Sequence, residues 1–333
     1  MKKLILTFIM IATFLTLSCS KKNNERSIAV FLPGIIADSP TYRRVAEGVT
    51  KAIEEWNLSC TEKDKIKLTI IEAGTTQSQW QPKITALAAS KNYELIISSN
   101  PSMPELCIPI AEKFPNQKFI LLDSFCDTNP QIASVSYDQR TQAFLSGYIG
   151  ALYSKSKKLA LIGAQEYPIM NEIFLPYFTR GAQAAVPEAT VDFRIVGNWF
   201  DATKGAELTR ALVSNGVDLI LPICGGASQG VIATALEKNI HLVWFDEDGF
   251  FRAPGTIISC TMINQDKIAY ESTMEYLNKK TVFGTAKVVG TLNDGYMTYV
   301  DYDKNYIHYV SEEIRNKMDN LIESIKNGSY KID

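Results

Sequence analysis

Histidine is almost absent from this sequence, which contains only His241 and His308 among its 333 residues. Neither histidine belongs to a group of cysteines and carboxylates at the spacing that a zinc site requires. The G-x-S-x-G turn of serine hydrolases and the lysine-containing phosphate loop of nucleotide hydrolases are missing as well. These absences argue against a metal centre and against the common hydrolytic enzymes, and we expect no cofactor.

An excess of basic residues is also lacking. The chain has 34 Lys and Arg residues against 36 Asp and Glu residues, and its formal net charge is −2. A protein that binds nucleic acid usually carries a clustered basic surface. We therefore expect no nucleic-acid partner.

The cysteines form no C-x-x-C pair, so a redox motif of that kind is missing. An odd number remains beyond Cys19, so these thiols cannot all pair with one another. Buried free thiols are the simplest interpretation, although a disulfide between two of them, Cys107 and Cys126, stays possible in an oxidising compartment. The five are Cys60, Cys107, Cys126, Cys224 and Cys260.

The one long apolar run lies near the amino terminus, from Leu4 to Leu17, directly after Lys2 and Lys3. It is shorter than the roughly 20 residues that a membrane-spanning helix needs. A charged start, a short apolar region and a small residue before the cut are typical of a secretory signal peptide. We predict that residues 1–18 are such a peptide and that the mature protein works outside the cytoplasm.

Cys19 follows this apolar segment and resembles the lipid-modified cysteine of bacterial lipoproteins. The match is imperfect, because Thr16 stands three positions before the cysteine, where leucine is usual. An ordinary signal peptide followed by an unmodified cysteine is the alternative. We predict that residues 19–26 form a lipidated tether, which would anchor the protein to the extracytoplasmic, periplasmic face of a bacterial membrane.

Strand-like and helix-like segments alternate along the chain in two similar series. The strand-like runs are short, β-rich and apolar on both faces, and helical periodicity separates them. This pattern predicts parallel sheets covered by helices, hence an α/β fold. The runs begin at Ile28, Lys67, Leu95 and Phe119 in the first series and at Leu159, Val191, Leu219 and His241 in the second.

The two series predict two lobes with a ligand cleft between them. The closing part of the chain would cross back between the lobes. We predict that lobe 1 comprises residues 27–140 and 255–285, and that lobe 2 comprises residues 141–254 and 286–330.

Polar and aromatic residues cluster just beyond the carboxyl ends of the predicted strands, where open α/β sheets bind their ligands. Aromatic rings next to carboxylates suit a flat ligand with hydrogen-bonding edges. For any one aromatic, a place in the core is an equally good interpretation, and Gly225 could serve a tight turn as well as a polar ligand. The candidate ligand-binding residues are Asp38, Ser39, Tyr42, Asn100, Tyr137, Gln139, Trp199, Gly225 and Asp246.

Several stretches occur in an order that resembles one known family, the basic membrane protein family of ABC-transporter substrate-binding lipoproteins. That family includes the purine nucleoside receptor and the riboflavin-binding lipoproteins of spirochetes. The resemblance covers nearly the whole chain. The stretches are Ala37-Asp38-Ser39-Pro40-Thr41-Tyr42, Ala143-Phe144-Leu145-Ser146-Gly147-Tyr148, Val196-Gly197-Asn198-Trp199-Phe200-Asp201, Asn215-Gly216-Val217-Asp218-Leu219-Ile220, Gly225-Gly226 through Gly230-Val231-Ile232, and Phe245-Asp246-Glu247-Asp248.

The resemblance implies a type I periplasmic-binding-protein fold that closes on its ligand like a hinge. It also implies an ABC permease and its ATPase as partners. The ligand contacts of nucleoside-binding members would fall on Tyr42, Trp199 and Asp246. Residues 260–263 depart from the family pattern by lacking its ligand-contacting lysine, and residues 40–42 replace the usual Ser-Phe-Asn.

These departures favour riboflavin as the transported ligand, and a purine nucleoside is the alternative. A more distant alternative is an extracytoplasmic enzyme that uses Asp246 and Asp248 as acid and base. A lipoprotein adhesin or sensor without a transported ligand would leave the cleft residues unexplained.

Overall fold

The computed structural model describes residues 26–166 and 168–332, without the side chain of Asp38. The predicted signal peptide and the predicted lipid-carrying Cys19 lie outside the described residues. Within the described chain, two six-stranded sheets form, and helices cover both.

The first sheet is parallel throughout and has the order β11-β5-β4-β3-β1-β2. Its strands are β1 (Arg26–Leu32), β2 (Ile66–Glu72), β3 (Leu95–Ser99), β4 (Lys118–Leu122), β5 (Ile132–Tyr137) and β11 (Thr285–Val289). The helices of this lobe are α1 (Pro40–Ser59), α2 (Trp80–Ser90), α3 (Met103–Lys113) and α8 (Gln265–Leu277).

The second sheet has the order β12-β10-β9-β8-β6-β7, and its edge strand β12 is antiparallel to β10. Its strands are β6 (Lys158–Gly163), β7 (Thr190–Ile195), β8 (Leu219–Ile223), β9 (His241–Trp244), β10 (Ile257–Ile263) and β12 (Met297–Tyr299). The helices are α4 (Arg140–Tyr153), α5 (Leu175–Ala185), α6 (Ala202–Ser214), α7 (Ser228–Lys238), α9 (Lys304–Tyr309) and α10 (Glu312–Lys326), with a π-helical turn at Met170–Phe174.

The two sheets have the same topology when their strand orders are compared position by position. The prediction of a two-lobed α/β fold with mostly parallel, helix-covered sheets is therefore confirmed. In the described chain, the backbone passes between the lobes after β5, after β10, and between β11 and β12.

The lobe boundaries differ from the prediction in the closing part of the chain. Strand β10 pairs with β9 in the second sheet, although residues 255–285 were expected to lie wholly in lobe 1. Strand β11 pairs with β5 in the first sheet, although residues from 286 onward were assigned to lobe 2. The error arises because a short apolar run shows that a strand is buried and does not show which sheet supplies its neighbour.

Helix α1 shows how local sequence starts an element at the edge of the cleft. The Ser39 hydroxyl accepts a hydrogen bond from the Tyr42 backbone N–H at 3.3 Å, and Pro40 occupies the first helical position. Both are favourable at a helix start, because the first N–H groups have no partner within the helix. The apolar face of α1 then buries Val45 and Val49 against the sheet.

The described cysteines are free thiols, and four of them are buried. The interpretation as unpaired core residues is therefore confirmed, and Cys107 and Cys126 do not form a disulfide. Among the described residues, none of the helices is both long and apolar enough to cross a membrane.

Helices α4 and α5 approach each other so closely that their contact requires glycine on both sides. A Cβ atom at Gly147 would lie 2.0 Å from the Phe178 carbonyl oxygen, and one at Gly181 would lie 1.9 Å from the Phe144 carbonyl oxygen. Both distances are far inside van der Waals contact. The second lobe can therefore form this helix pair only with backbone packed directly on backbone.

We predict that Gly181→Ala lowers the free energy of unfolding by about 1–3 kcal/mol, because the two helices must move apart to admit the methyl group. This cost outweighs the better helix propensity of alanine, which is about 1 kcal/mol. Ala184→Ser, which adds one atom on the exposed side of the same helix, is the control and should change stability little. Urea unfolding measures both, and a Gly181→Ala protein as stable as the parent would contradict this packing argument.

Candidate ligand-binding site

A cavity of about 150 Å³ lies between the lobes, at the edge where the carboxyl ends of the strands of both sheets meet. The first lobe and the crossing after β5 line it with Ser39, Tyr42, Asn100, Asp123 and Gln139. The second lobe contributes Phe174, Trp199, Gly225, Trp244, Phe245, Asp246, Glu247 and Arg252. The residues that the sequence placed at separate strand ends are thus brought together by the fold.

Two of the candidate residues need separate mention. Tyr137 is buried and does not line the cavity in the described structure. Burial and the charges of Asp123 and Asp246 raise the pKa of its phenol well above the usual value, so the hydroxyl stays neutral. The side chain of Asp38 is not described, so its proposed contact remains a prediction.

Tyr42 presents its ring to the cavity, while its hydroxyl is used within the first lobe. The hydroxyl donates to the Pro33 carbonyl at 3.1 Å and accepts a hydrogen bond from Asn100 Nδ2 at 3.1 Å. A Cβ atom at Gly34 would lie 2.5 Å from the ring, so glycine is needed to seat it. Asn100 Oδ1 in turn accepts from the Ser102 hydroxyl at 2.6 Å. These bonds fix Tyr42 before any ligand arrives.

Trp199 extends from the second lobe across to the first. Its ring rests on Gly225, where a Cβ atom would lie 3.1 Å from Trp199 Cε3, and Gly225 has the positive φ of 55° that favours glycine. Trp199 also packs against the first-lobe core cluster that contains Phe31 and Trp80, and the next residue, Phe200, packs there too. Trp199 therefore forms one wall of the cavity and part of the contact between the closed lobes.

A second tryptophan wall was missed in the sequence, because Trp244 ends an apolar strand and resembles a core residue. Its indole N–H donates to Glu247 Oε1 at 3.1 Å. Arg252 Nε donates to the same oxygen at 2.6 Å, and its guanidinium lies 5.6 Å from the centre of the Trp244 ring. A Cβ atom at Gly249 would lie 2.3 Å from the ring, so the following turn is also shaped around it.

Asp123 and Asp246 place one carboxyl group from each lobe at the cavity. They follow β4 and β9, which occupy equivalent positions in the two sheets, and both have a positive φ, of 52° and 68°. Asp123 is a second residue that the candidate set missed, although it stands at a predicted strand end. The symmetry of the two lobes explains why each supplies an aspartate here.

Burial makes both carboxyl groups costly to ionise, and the charge of Asp246 adds to the cost for Asp123. Burial, followed by the charge of Asp246, raises the pKa of Asp123 well above its usual value. Burial raises the pKa of Asp246 to about 6, although Gln142 Nε2 donates a hydrogen bond to it at 3.2 Å. Among the described lining residues Arg252 is the one basic side chain, and Glu247 already pairs with it. The cavity therefore suits a ligand that donates hydrogen bonds and disfavours an anion.

An acid–base pair formed by Asp246 and Asp248 would need both carboxyl groups at the cavity, and only Asp246 lines it. Asp248 does not line the described cavity, and its pKa is raised by burial and by the charge of Asp303. In the described part of the chain there is also no group of three or more histidines, cysteines or carboxylates that could hold a metal ion.

A protein-family model described as "ABC transporter substrate-binding protein PnrA-like" matches residues 25–331. This chain belongs to the PnrA-like family. The family resemblance that the sequence motifs indicated is thereby confirmed. The PnrA-like protein is the substrate-binding component of an ABC transporter, with a small-molecule ligand, a permease and ATPase as partners, and a place outside the cytoplasm. Its family is that of a substrate-binding protein, and it shares its fold with a solved solute-binding protein.

Individual relatives agree with this assignment. Basic membrane protein A of Borreliella burgdorferi is 24% identical over 332 residues, which cover 97% of this chain and 93% of that protein. The ABC transporter nucleoside-binding protein BmpA of Lactococcus lactis is 24% identical over 152 residues, which cover 46% of this chain and 43% of that protein. An ABC-transporter solute-binding protein of Aeropyrum pernix has the same fold, with a TM-score of 0.75, 16% identity and 92% coverage of both chains.

Side-chain contacts join the two lobes or lie beside a crossing. Gln165 Nε2 of the second lobe donates to Gln77 Oε1 of the first at 3.3 Å. Arg44 on α1 contacts the chain on either side of the crossing between β10 and α8. Its Nη1 lies 2.9 Å from Met262 Sδ at the end of β10, and its Nη2 lies 2.6 Å from Asp266 Oδ1 at the start of α8. These contacts bridge the lobes or flank a crossing, so they belong to the described closed arrangement.

We predict that Asp246→Asn removes a loss of folding stability that this PnrA-like protein undergoes as the pH rises from about 4 to about 6. Because the folded state holds the neutral carboxylic acid more readily than the unfolded chain, ionising Asp246 costs folded-state stability. This cost is absent below about pH 4, grows as the pH rises, and is complete above a pH of about 6. Relative to the parent, the variant should gain at most about 3 kcal/mol between pH 4 and pH 8.

Urea unfolding of the ligand-free protein at both pH values measures this gain. Asp301→Asn, which removes an exposed carboxylate from the same lobe, is the control and should follow the parent. If the stability of the Asp246→Asn protein changes with pH as the parent's does, the pKa of Asp246 is not raised in the folded protein.

Proposed function

We propose that this PnrA-like protein is a lipid-anchored receptor that captures riboflavin and delivers it to an ABC permease. The observation that carries the proposal is a cavity with five aromatic residues, among them Tyr42, Trp199 and Trp244, and two carboxyl groups that no free cation of the described lining neutralises. Aromatic walls suit a flat ring system, and the carboxyl groups suit a ligand rich in hydroxyl and N–H donors.

Riboflavin has both properties. Its isoalloxazine ring is large, flat and uncharged, and two indole walls offer it more stacking area than a single ring would. Its ribityl chain carries several hydroxyl groups, which can donate to Asp123 and Asp246. The ligand thereby replaces the water that two buried carboxyl groups lose on closure.

Closure follows from the division of these contacts between the lobes. Tyr42 and Asp123 belong to the first lobe, whereas Trp199 and Asp246 belong to the second. A ligand that touches both sides stabilises the closed arrangement, because those contacts cannot all form when the lobes separate. The permease would then recognise the closed, loaded receptor.

A purine nucleoside is the second candidate, and a relative supports it directly. The Lactococcus lactis protein is described as nucleoside-binding. A purine is also flat, and ribose also donates through hydroxyl groups, so the same walls and carboxyl groups would serve. The two candidates differ in the area of the ring that has to be stacked.

The absorption spectrum of the purified protein, recorded together with the supernatant after heat denaturation, is the first test. Release of a yellow compound with the flavin spectrum would support riboflavin. Fluorescence titration with riboflavin, and calorimetry with adenosine, guanosine and inosine, then rank the two candidates on protein stripped of any ligand. Binding of nucleosides without binding of riboflavin would overturn the flavin proposal and leave the transport function intact.

We predict that Trp199→Ala weakens ligand binding about 10- to 100-fold, because an aromatic stacking wall is lost. Trp56→Ala is the matched control, since Trp56 lies in the first lobe and does not line the cavity. Circular dichroism establishes that both variants fold, and titration compares their affinities. Equal affinities for the two variants would remove Trp199 from the binding site.

We also predict that Cys19→Ser moves the protein from the membrane fraction of its bacterial host to the soluble fraction. Lipid attachment at the cysteine is the proposed anchor, and serine cannot accept it. Cys60→Ser, at a partly buried thiol, is the control and should leave the protein in the membrane fraction. Retention of the Cys19→Ser protein in membranes washed at high salt, which weakens attachment by charge alone, would contradict the proposed anchor and would say nothing against the ligand site.

A further inference from the structure

A second groove lies at the opposite end of the first lobe from the ligand cavity, where β1 begins at Arg26. Its lining includes Trp56, Cys60, Tyr276, Lys279 and Phe283. The lining aromatics come from the end of α1 and from the segment around the end of α8. Since the ligand cavity lies at the carboxyl ends of the same sheet, ligand capture leaves this groove unused.

Two exposed large apolar side chains are next in sequence to residues that line this groove. Leu58, near the end of α1, is 88% exposed, and Val282, beside Phe283, is 65% exposed. Partly buried Trp56 and Tyr276 continue the apolar surface into the groove. Clustered exposed apolar residues are typical of a surface that contacts another body.

Basic and acidic residues both surround these apolar side chains, and the exposed Glu54 and Glu55 lie about one helical turn before Leu58 on α1. Arg26 pairs with Glu94 at 2.8 Å and Lys65 pairs with Glu62 at 2.5 Å, so these four charges cancel. Three further lysines at the rim are exposed and have no ion-pair partner among the described residues, whereas Asp64 is the one unpaired carboxylate that lines the groove. The three are Lys63, Lys279 and Lys280.

The position of Arg26 limits how far this surface can move from the proposed lipid anchor. Residues 20–25 separate Cys19 from Arg26. A fully extended segment of this length spans about 25 Å at most. A lipid on Cys19 would therefore hold the groove within that distance of the bilayer.

We propose that the basal surface, defined as Leu58, Lys63, Lys279, Lys280, Val282 and the groove between them, rests on a membrane that contains anionic phospholipid. The lysines contact the phosphate headgroups, while Leu58 and Val282 enter the interfacial region between them. The first lobe then stands on the bilayer with the ligand cavity at its far end, accessible to solute. This inference rests on the proposed anchor at Cys19 for its orientation, but the surface itself is present without lipid.

Vesicle binding of the unlipidated chain beginning at Ser20 tests the proposal. The probes are vesicles of phosphatidylcholine alone and of phosphatidylcholine with phosphatidylglycerol, at an ionic strength of about 0.1 M, where the Debye length is about 10 Å, and over a range of lipid concentrations. We expect binding to the anionic vesicles that is at least tenfold stronger than to the neutral ones and that weakens with added salt. Each lysine at a membrane surface contributes about fivefold.

The variants Lys279→Glu/Lys280→Glu and Leu58→Glu should each reduce this binding at least tenfold. The matched controls are Lys304→Glu/Lys331→Glu, which makes the same change in net charge on exposed lysines elsewhere, and Leu236→Glu, at an exposed leucine of the second lobe. The controls should stay within about twofold of the parent, since electrostatic attraction to the membrane falls off within about a Debye length.

Equal binding to the two kinds of vesicle, or control variants that lose as much binding as the basal ones, would overturn the proposal. The alternative occupant of the basal surface is a second copy of this chain, and sedimentation velocity tests for it. The surface would be assigned to a dimer if the parent is dimeric, Leu58→Glu is monomeric, and the parent does not bind anionic vesicles. Ligand titration of each variant separates this result from the proposed function, since the basal substitutions lie outside the ligand cavity and should leave ligand affinity unchanged.

Discussion

Parallel strands have to be covered on both faces, and this constraint organises the whole molecule. Each crossover helix returns the chain to the same starting edge, so all carboxyl ends in a sheet meet at the opposite edge. Two such sheets with the same strand order place these edges against each other, and the cleft lies between them. The helix pair α4–α5 meets this demand with Gly147 and Gly181 in backbone contact.

The electrostatics of the cavity follow from this arrangement. Equivalent positions after β4 and β9 carry Asp123 and Asp246, so closure brings together two carboxyl groups that repel each other. Arg252 does not relieve the repulsion, because Glu247 already binds it and both hold the Trp244 ring. The empty closed receptor is thus less stable than it would be with a donor between the lobes. In the proposed function, a ligand with hydroxyl groups would supply that donor, and binding would thereby favour closure of the lobes.

Most of the fold could be predicted from sequence, because burial on both faces of a parallel strand leaves a continuous apolar run. Strands β5 and β10 and helices α9 and α10 were missed. In β5 the serines that alternate with apolar residues break that run, and α10 exposes most of its length, so few of its residues are apolar. Among the site residues, Tyr42, Trp199 and Asp246 line the cavity, while Trp244 was overlooked because an apolar strand end looks like core.

The sequence by itself determined the class of the protein: an amino-terminal segment typical of secretion, no catalytic or metal apparatus of the common kinds, and motifs of a substrate-binding family. Those features are local, since each depends on residue types within a short stretch. Only the tertiary structure decided that β10 joins the second sheet and β11 the first, and that Asp123 and Asp246 share one cavity. These facts depend on which distant segments pack together, and the free energy of that packing is a property of the whole chain.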